Sequence, residues 1–378
     1  MQALEGIRIL DLSRLLPGPY CTMILADYGA EVIKIEEPGR GDYSRTFGPF
    51  VKDLGYWHLQ VNRNKKSVVL NLKTQEDCAA FKELLKTADV VVESFRPGTL
   101  TKLGIDYEVA QAINPKIIYC SITGYGKKGP LAHDADHDVG YVSQAGIVSM
   151  SGNNDGSPAL PPMQIADMGA AMLASTSILT ALFAAAKTGK GQEIDISLYD
   201  TSLTMMPGAA SLYFGSGFVA ERGNNWLNGS YANYNIYQTK DGRYLSVGCL
   251  EQKFWQKLCV VLNRPDLIDK LEPESNHAYL KAELSKEFLK HTGAEWVELL
   301  AGKDTCTRLI LNFDEAINSE QSRADEMLLT VDDPELGTIK QIGFPAKFSV
   351  TPGCLRCRAP RLGEHTKEVL AAIGINKE

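Results

Sequence analysis

Short runs of β-branched and apolar residues alternate with helical patterns along the first half of the chain. Five runs are predicted as strands: residues 7–13, 31–36, 66–72, 89–95 and 116–126. Helix signals lie between them. Thr74, for example, is placed to cap a helix whose first turn is supported by Asp77. Strands separated by helices predict a mostly parallel sheet with helices on its faces, an α/β fold.

The pattern changes further along the chain. The stretch after Asp167 is apolar almost all round, which predicts a long buried helix that ends at Gly189 and Gly191. Residues 216–230 are rich in Gly and Asn and predict a linker. Residues 234–250 predict a hairpin that turns at Asp241 and Gly242, and helical stretches follow to about residue 320.

Length, charge and cysteine content argue against several classes of function. The length of 378 residues suggests about two domains, and the net charge of -7 argues against a nucleic-acid partner. Among eight cysteines, only Cys354 and Cys357 form a CxxC pair, so we expect reduced thiols of a cytoplasmic protein and no zinc site. No signal peptide and no membrane span are expected. The absence of a GxGxxG motif after the first strand argues against a dinucleotide cofactor.

The stretch HDADHDVGY, residues 133–141, concentrates titratable groups just before an apolar run. His133 is interpreted as a loop residue, whereas His137 lies directly before a predicted helix. Asp134, Asp136 and Asp138 solvate the turn or cap a helix in the simplest interpretation. No metal site is expected here.

Two further carboxylates have both a structural and a chemical interpretation. Asp167 is predicted either as an N-cap or as a base or nucleophile beside the N–H groups that begin the long helix, which could hold an oxyanion. Glu251, in VGCLEQKFW, most simply begins the helix that follows it.

Several ordered segments carry a resemblance to a known family. They are LEGIRILDLSRLLPGPYCTMILADYGAEVIKIEEPGRGD, NRNKKSVVLNLKT, ADVVVESFRPGTLTKLGIDY, NPKIIYCSITGYG, TGKGQEIDISLYD and PRLGEHTKEVL. Over nearly its full length the chain resembles the family III CoA-transferases and the related α-methylacyl-CoA racemases. The resemblance implies an interlocked homodimer in which each chain has a Rossmann-like large domain with a parallel sheet and a smaller α+β domain. The expected division is 1–215 for the first part of the large domain, 216–230 for the linker, 231–320 for the small domain and 321–378 for the return to the large domain.

The resemblance also implies a catalytic site. In the transferases the aspartate that matches Asp167 forms an acyl anhydride and then carries a CoA thioester, whereas in the racemases it is an acid and base. The racemases pair it with a histidine that matches His137, assisted by a glutamate that matches Glu251. The transferases usually carry tyrosine in place of His137, and some have a glycine-rich loop that is absent from WLNGSYANYN here. Both departures favour the racemases.

The family match places the nucleotide end of coenzyme A along one set of residues: Arg14, Leu15, Leu16, Leu70, Asn71, Ser94, Phe95, Arg96 and Lys102. Many relatives have an arginine that contacts the adenine at the position of Glu37. In this chain we expect Arg40 or Arg14 to make the adenine contact instead.

We therefore expect a cytoplasmic racemase or epimerase that inverts the α-carbon of a 2-methyl-branched acyl-CoA through an enolate. The enolate oxygen is expected near the N–H groups at the start of the helix that holds Asp167. A CoA-transferase that works through an aspartyl anhydride is the alternative, and a non-catalytic CoA-ester-binding protein is a third class. The expected partners are the acyl-CoA substrate and a second copy of the chain. No nucleic acid, membrane or permanently bound cofactor is expected, because coenzyme A enters as part of the substrate.

Overall fold

The computed structural model describes residues 1–153 and 155–376. The chain divides into two compact units. The larger unit comprises Met1–Ala145, Met163–Met205 and Glu320–Glu378, and the smaller comprises Gly146–Pro162 and Met206–Ser319. These units differ from the predicted domain limits at residues 146–162 and 206–215, which the sequence analysis placed in the large domain.

The strands are β1 (Arg8–Asp11), β2 (Glu31–Glu36), β3 (Phe50–Val51), β4 (Leu54–Gly55), β5 (Lys65–Val69), β6 (Val90–Glu93), β7 (Ile118–Thr123), β8 (Gln192–Ser197), β9 (Tyr234–Gln238), β10 (Tyr244–Gly248), β11 (Thr307–Leu309), β12 (Leu328–Asp333) and β13 (Gly337–Ile342). The helices are α1 (Pro17–Asp27), α2 (Tyr56–Val61), α3 (Gln75–Leu85), α4 (Thr99–Leu103), α5 (Tyr107–Ile113), α6 (Asp138–Gln144), α7 (Ile147–Met150), α8 (Ile165–Thr188), α9 (Leu198–Thr204), α10 (Pro207–Ser216), α11 (Gln252–Val261), α12 (His277–Phe288), α13 (Gly293–Leu300), α14 (Phe313–Ile317), α15 (Glu320–Ala324) and α16 (Thr366–Ala371).

A six-stranded parallel sheet forms the centre of the larger unit, in the order β5-β2-β1-β6-β7-β8. In its register, Leu10 of β1 lies between Ile33 of β2 and Val91 of β6. All three side chains are buried, as expected for strands that are covered on both faces. The α/β fold with a parallel sheet is thereby confirmed.

Local sequence signals account for most of these elements. Strand β2 has the predicted bounds, and the other four predicted strands differ by a few residues at their ends. Thr74 caps α3 as predicted, because its hydroxyl accepts the N–H of Asp77. Pro17 is the first residue of α1, a position where a missing N–H costs nothing.

The long helix α8 differs from its prediction in two ways. It begins at Ile165, so Asp167 is its third residue rather than its N-cap. It was also expected to be buried all round, yet only one side packs, against α1, α6, α9, β7 and β8. The other side exposes large apolar side chains: Met172, Leu173, Leu179 and Phe183.

Helix α8 bears on the expectation that the chain has no membrane span. The sequence analysis found no window apolar enough, but residues 168–186 contain no charged side chain. By length and composition α8 meets the requirement for a span. Buried helices of soluble domains meet the same requirement, and one side of α8 is packed inside the larger unit.

The smaller unit is built on an antiparallel sheet in the order β11-β10-β9. The predicted hairpin is β9 and β10, and its turn holds Gly242 with a φ of 78°. Helices α11, α12 and α13 supply the core residues Trp255, Phe288 and Trp296, all buried. The smaller unit therefore has a hydrophobic core of its own.

Candidate active site

Two adjoining cavities lie beside the carboxyl ends of the parallel strands. Their volumes are about 530 and 440 Å³, and both are lined by Leu12, Arg14, Tyr43, Phe95 and Thr99. The chain leaves β1 toward β2 on one side, and β6 pairs with β1 on the other. The loops after β1 and β6 therefore diverge from a point where the strand order reverses, which is where open α/β sheets bind their ligands.

The larger cavity brings together two of the three predicted catalytic residues. His137 is the residue directly before α6 and is exposed, while Asp167 in the first turn of α8 is half-buried. Both line this cavity. Since α6 packs against α8, two residues separated by thirty positions in the sequence face the same space.

The N-terminus of α8 is capped by Asp138, the first residue of α6. Its carboxylate accepts the N–H of Asp167, with 3.1 Å between oxygen and nitrogen, and lies close to the N–H groups of Ile165 and Ala166. The enolate oxygen was expected at these N–H groups, where Asp138 already accepts one of them, and its place stays a prediction. Asp138 caps a helix as its sequence position suggested, but the helix is α8.

The carboxyl group of Asp167 has an unusual affinity for protons. Burial, and secondly the negative charge of Asp138, raise the pKa of Asp167 from 3.8 to about 7. Near neutral pH, both the carboxylate and the carboxylic acid of Asp167 are populated. A group in this state can take up or release a proton at little cost, which suits an acid–base catalyst.

The loop after β1 is fixed by a buried ion pair. Leu15 has a φ of 66°, a conformation that non-glycine residues rarely adopt. Its N–H donates to Oδ1 of Asp42 at 3.0 Å, and the other carboxylate oxygen of Asp42 lies 2.8 Å from Nζ of Lys34. Both charged side chains are fully buried. The loop after β1 is also bonded to the loop after β6, because the N–H of Arg14 donates to Oγ of Ser94.

The smaller cavity has an aromatic and cationic wall. The guanidinium of Arg14 lies 5.2 Å from the ring centroid of Tyr43 and 5.3 Å from that of Phe95, and 3.7 Å from the carboxylate of Glu37. Arg40 lies over the Tyr43 ring at 4.1 Å. Both arginines that were expected to replace the missing adenine contact thus stack on one tyrosine, and their role toward adenine stays a prediction.

The predicted coenzyme A contacts are distributed over both cavities. The larger is lined by Arg14, Leu15, Ser94, Phe95 and Arg96, and the smaller by Arg14, Leu70, Asn71, Phe95 and Lys102. Leu16 lines neither, because it is buried directly before α1. Lys73 also lines the smaller cavity and was missed. Lys73 could have been found from the sequence, because it lies two residues after Asn71, just beyond the end of a predicted strand.

Glu251 belongs to the smaller unit. It is the residue directly before α11, as its sequence context suggested, and its exposed side chain makes no capping hydrogen bond. Its support of His137 stays a prediction.

The histidines of residues 133–141 are four positions apart, a spacing that binds metals when it falls within a helix. Here the segment between His133 and His137 is not helical, because α6 begins only at Asp138. Over residues 1–153 and 155–376, no group of three or more His, Cys, Asp or Glu side chains is arranged to hold a metal ion.

The larger unit is an α/β fold with a cavity lined by a carboxyl group whose pKa is about 7. Residues 4–366 match the CoA-transferase family III model, and the chain belongs to that family. It is 35% identical to the mouse succinyl-CoA:glutarate CoA-transferase, over 99% of this chain and 87% of that protein. It is 31% identical to the human alpha-methylacyl-CoA racemase, over 100% of this chain and 94% of that protein. A crystal structure of a CAIB/BAIF family protein from Brucella suis has a TM-score of 0.87 at 31% identity, covering 98% of this chain and 99% of that one.

Proposed function

We propose that this protein is an acyl-CoA racemase or epimerase that inverts the α-carbon of a 2-methyl-branched acyl-CoA. The observation that carries the proposal is that an imidazole, on His137, and a carboxyl group with a pKa of about 7, on Asp167, line one cavity. Inversion requires removal of the α-proton on one face and its return on the other. Two acid–base groups meet that requirement, whereas one cannot easily serve both faces.

In this mechanism one of the two groups removes the α-proton of the thioester as a base, and an enolate forms. The other group, in its protonated form, delivers a proton to the opposite face. Because the pKa of Asp167 lies near neutrality, Asp167 can begin either direction of the reaction in the required state. The reaction needs no second acid substrate.

The substrate class is supported by the adjoining cavity. Lys73 and Lys102 provide cations for phosphates, and Leu70 and Phe95 provide apolar surface. If the nucleotide of coenzyme A binds in this cavity, the thioester would extend into the larger cavity, because the two cavities share Arg14 and Phe95. Coenzyme A is thus proposed as part of the substrate and not as a resident cofactor.

A second candidate function is CoA transfer between an acyl-CoA and a carboxylic acid. Most of the similar curated proteins are named CoA-transferases, including an acetyl-CoA:oxalate CoA-transferase of Acetobacter aceti at 34% identity. Asp167 would then be the nucleophile that forms an anhydride. His137 has no required role in that chemistry, which is why its place in the cavity favours racemisation.

One experiment separates the two functions. The protein is incubated with an enantiopure 2-methylacyl-CoA in heavy water without an acceptor acid. Racemisation predicts deuterium at the α-carbon together with loss of optical purity. Transfer instead predicts CoA exchange when a free acid is added, with an enzyme-bound acyl group that hydroxylamine traps. Binding of CoA esters without either activity would support the non-catalytic class.

Variants assign the roles. His137→Ala should abolish the loss of optical purity and spare any hydroxylamine-trapped intermediate, and His133→Ala is the matched control because His133 lies in the preceding loop. Glu251→Gln should lower the exchange rate if Glu251 supports His137, as the resemblance implies. Asp167→Ala should abolish either chemistry, and normal turnover in that variant would contradict the site.

We also propose that the protein is a cytoplasmic homodimer whose second copy covers the exposed apolar side of α8. Met172, Leu179 and Phe183 supply that side, and their exposure in one chain supports a protein partner. The interlocked arrangement rests on the resemblance.

A further inference from the structure

His137 follows a residue that is held by three hydrogen bonds. The Oδ2 atom of Asp136 accepts the hydroxyl of Tyr125 at 3.0 Å, and its Oδ1 atom accepts the N–H of His137 at 2.9 Å. The main-chain carbonyl of Asp136 accepts the hydroxyl of Tyr141, also at 2.9 Å. Asp136, the residue directly before His137, is therefore held by hydrogen bonds to both its side chain and its backbone.

The anchor is connected to the central sheet. Tyr125 lies two residues after β7. Its ring packs edge-on against Tyr141, with 5.1 Å between ring centroids, and at a tilt of 44° against Tyr199, at 5.9 Å. Gly140 leaves room for the carboxylate, because a Cβ atom at Gly140 would lie 1.8 Å from Oδ2 of Asp136. The carboxylate of Asp136, an exposed residue, thus lies between Tyr125 and the first turn of α6.

We infer that Tyr125 and Asp136 are positioning residues for His137. The series from hydroxyl to carboxylate to main-chain N–H holds His137 in the extended conformation that precedes α6, with φ -120° and ψ 176°. That conformation sets the direction from which the imidazole enters the cavity. The inference rests on the proposed function, in which His137 exchanges a proton with the substrate.

The hydroxyl of Tyr125 can donate its hydrogen bond to Asp136 throughout the neutral pH range. Burial, together with its hydrogen bond to Asp136, raises the pKa of Tyr125 to about 12. The hydroxyl therefore keeps its proton at neutral pH, and the bond to the carboxylate is present whenever the enzyme works. Neither residue needs to touch the substrate for this role.

The test compares Tyr125→Phe with the matched control Tyr199→Phe. Tyr199 belongs to the same aromatic group, and the structure gives its hydroxyl no hydrogen bond to Asp136 within the described residues. Tyr125→Phe should lower kcat for α-proton exchange about tenfold, because loss of orientation slows the proton transfer, and should leave KM unchanged. Asp136→Asn keeps an oxygen for the His137 N–H and should retain more activity than Asp136→Ala. Tyr199→Phe should match the parent protein.

A second readout does not depend on activity. Amide hydrogen exchange of residues 133–140, followed by mass spectrometry, should be faster in Tyr125→Phe than in the parent and in Tyr199→Phe. An unchanged kcat and unchanged exchange in Tyr125→Phe would overturn the inference. So would an equal loss of proton exchange and of hydroxylamine-trapped intermediate, because the defect would then extend beyond His137. If the parent protein shows no α-proton exchange, the proposed function fails, and the amide exchange still decides whether the anchor holds His137.

Discussion

Replacement of Asp138 by asparagine tests the electrostatics of the site. An asparagine keeps a side-chain oxygen for the N–H groups that begin α8, but it removes the negative charge near Asp167. The cap is thus preserved while one of the two causes of the raised pKa is removed. We expect Asp138→Asn to lower the pKa of Asp167.

The size of the effect follows from the two causes. The difference between 3.8 and about 7 corresponds to about 4 kcal/mol that opposes ionisation of Asp167. Burial is the larger cause and remains in the variant, so the charge of Asp138 accounts for less than half. The pKa of Asp167 should therefore fall by about one pH unit, a roughly tenfold change in its proton affinity.

The assay is the pH dependence of kcat/KM for α-proton exchange, which reports ionisations of the free enzyme. For the enantiomer whose proton is removed by Asp167, the rate should fall as pH drops through about 7 in the parent protein. In Asp138→Asn this acid limb should lie about one pH unit lower. Asp134→Asn is the control, because Asp134 lines the cavity but is not a cause of the raised pKa. An acid limb that stays in place in Asp138→Asn would refute the reasoning.

Three further predictions concern stability and assembly. Because the folded pKa of Asp167 lies above its unfolded value, its stabilising contribution is present at low pH and is lost as pH rises through about 7. Asp167→Asn should thus raise the melting temperature at pH 8 more than at pH 5, and equal shifts at both pH values would contradict this. Asp42→Ala should lower the free energy of unfolding in urea by about 3–5 kcal/mol, because it leaves Lys34 buried without its partner; a loss below about 1 kcal/mol would exclude a structural role for the pair. Phe183→Asp should lower the melting temperature of the dimer, because it places a charge where the second copy covers α8, and an unchanged melting temperature would place the interface elsewhere.

Much of the fold follows from local sequence signals. The period of apolar residues identified the strands of the parallel sheet, since buried parallel strands are short apolar runs between turn signals. The hairpin at Asp241 and Gly242 was equally readable, because its turn needs a residue with positive φ. The sequence analysis was wrong about the residue at which α8 begins and about the burial of its whole surface. Its N-terminus is capped by Asp138, a contact between residues 29 positions apart that no local pattern records.

The site was less readable than the fold. From the residues alone, Asp167 was either a helix cap or a base or nucleophile, and His137 lay directly before a predicted helix. The resemblance is what paired the two as catalytic residues. The structure adds that both line one cavity, and that Asp138 raises the pKa of Asp167 while it caps α8. The anchoring of His137 by Tyr125 and Asp136 also depends on tertiary packing, since it joins the end of β7 to the start of α6.

The central claim is that His137 and Asp167 exchange protons with opposite faces of one α-carbon. Its most direct measurement is NMR of an enantiopure 2-methylacyl-CoA incubated in heavy water with the parent protein and with His137→Ala, in the absence of any acceptor acid. The account predicts α-deuteration with loss of optical purity in the parent protein and no loss of optical purity in the variant, in which Asp167 alone can only return a deuteron to the face it deprotonated. Retention of the α-proton in the parent protein, with CoA exchange once a free acid is added, would contradict the claim and establish the transferase instead.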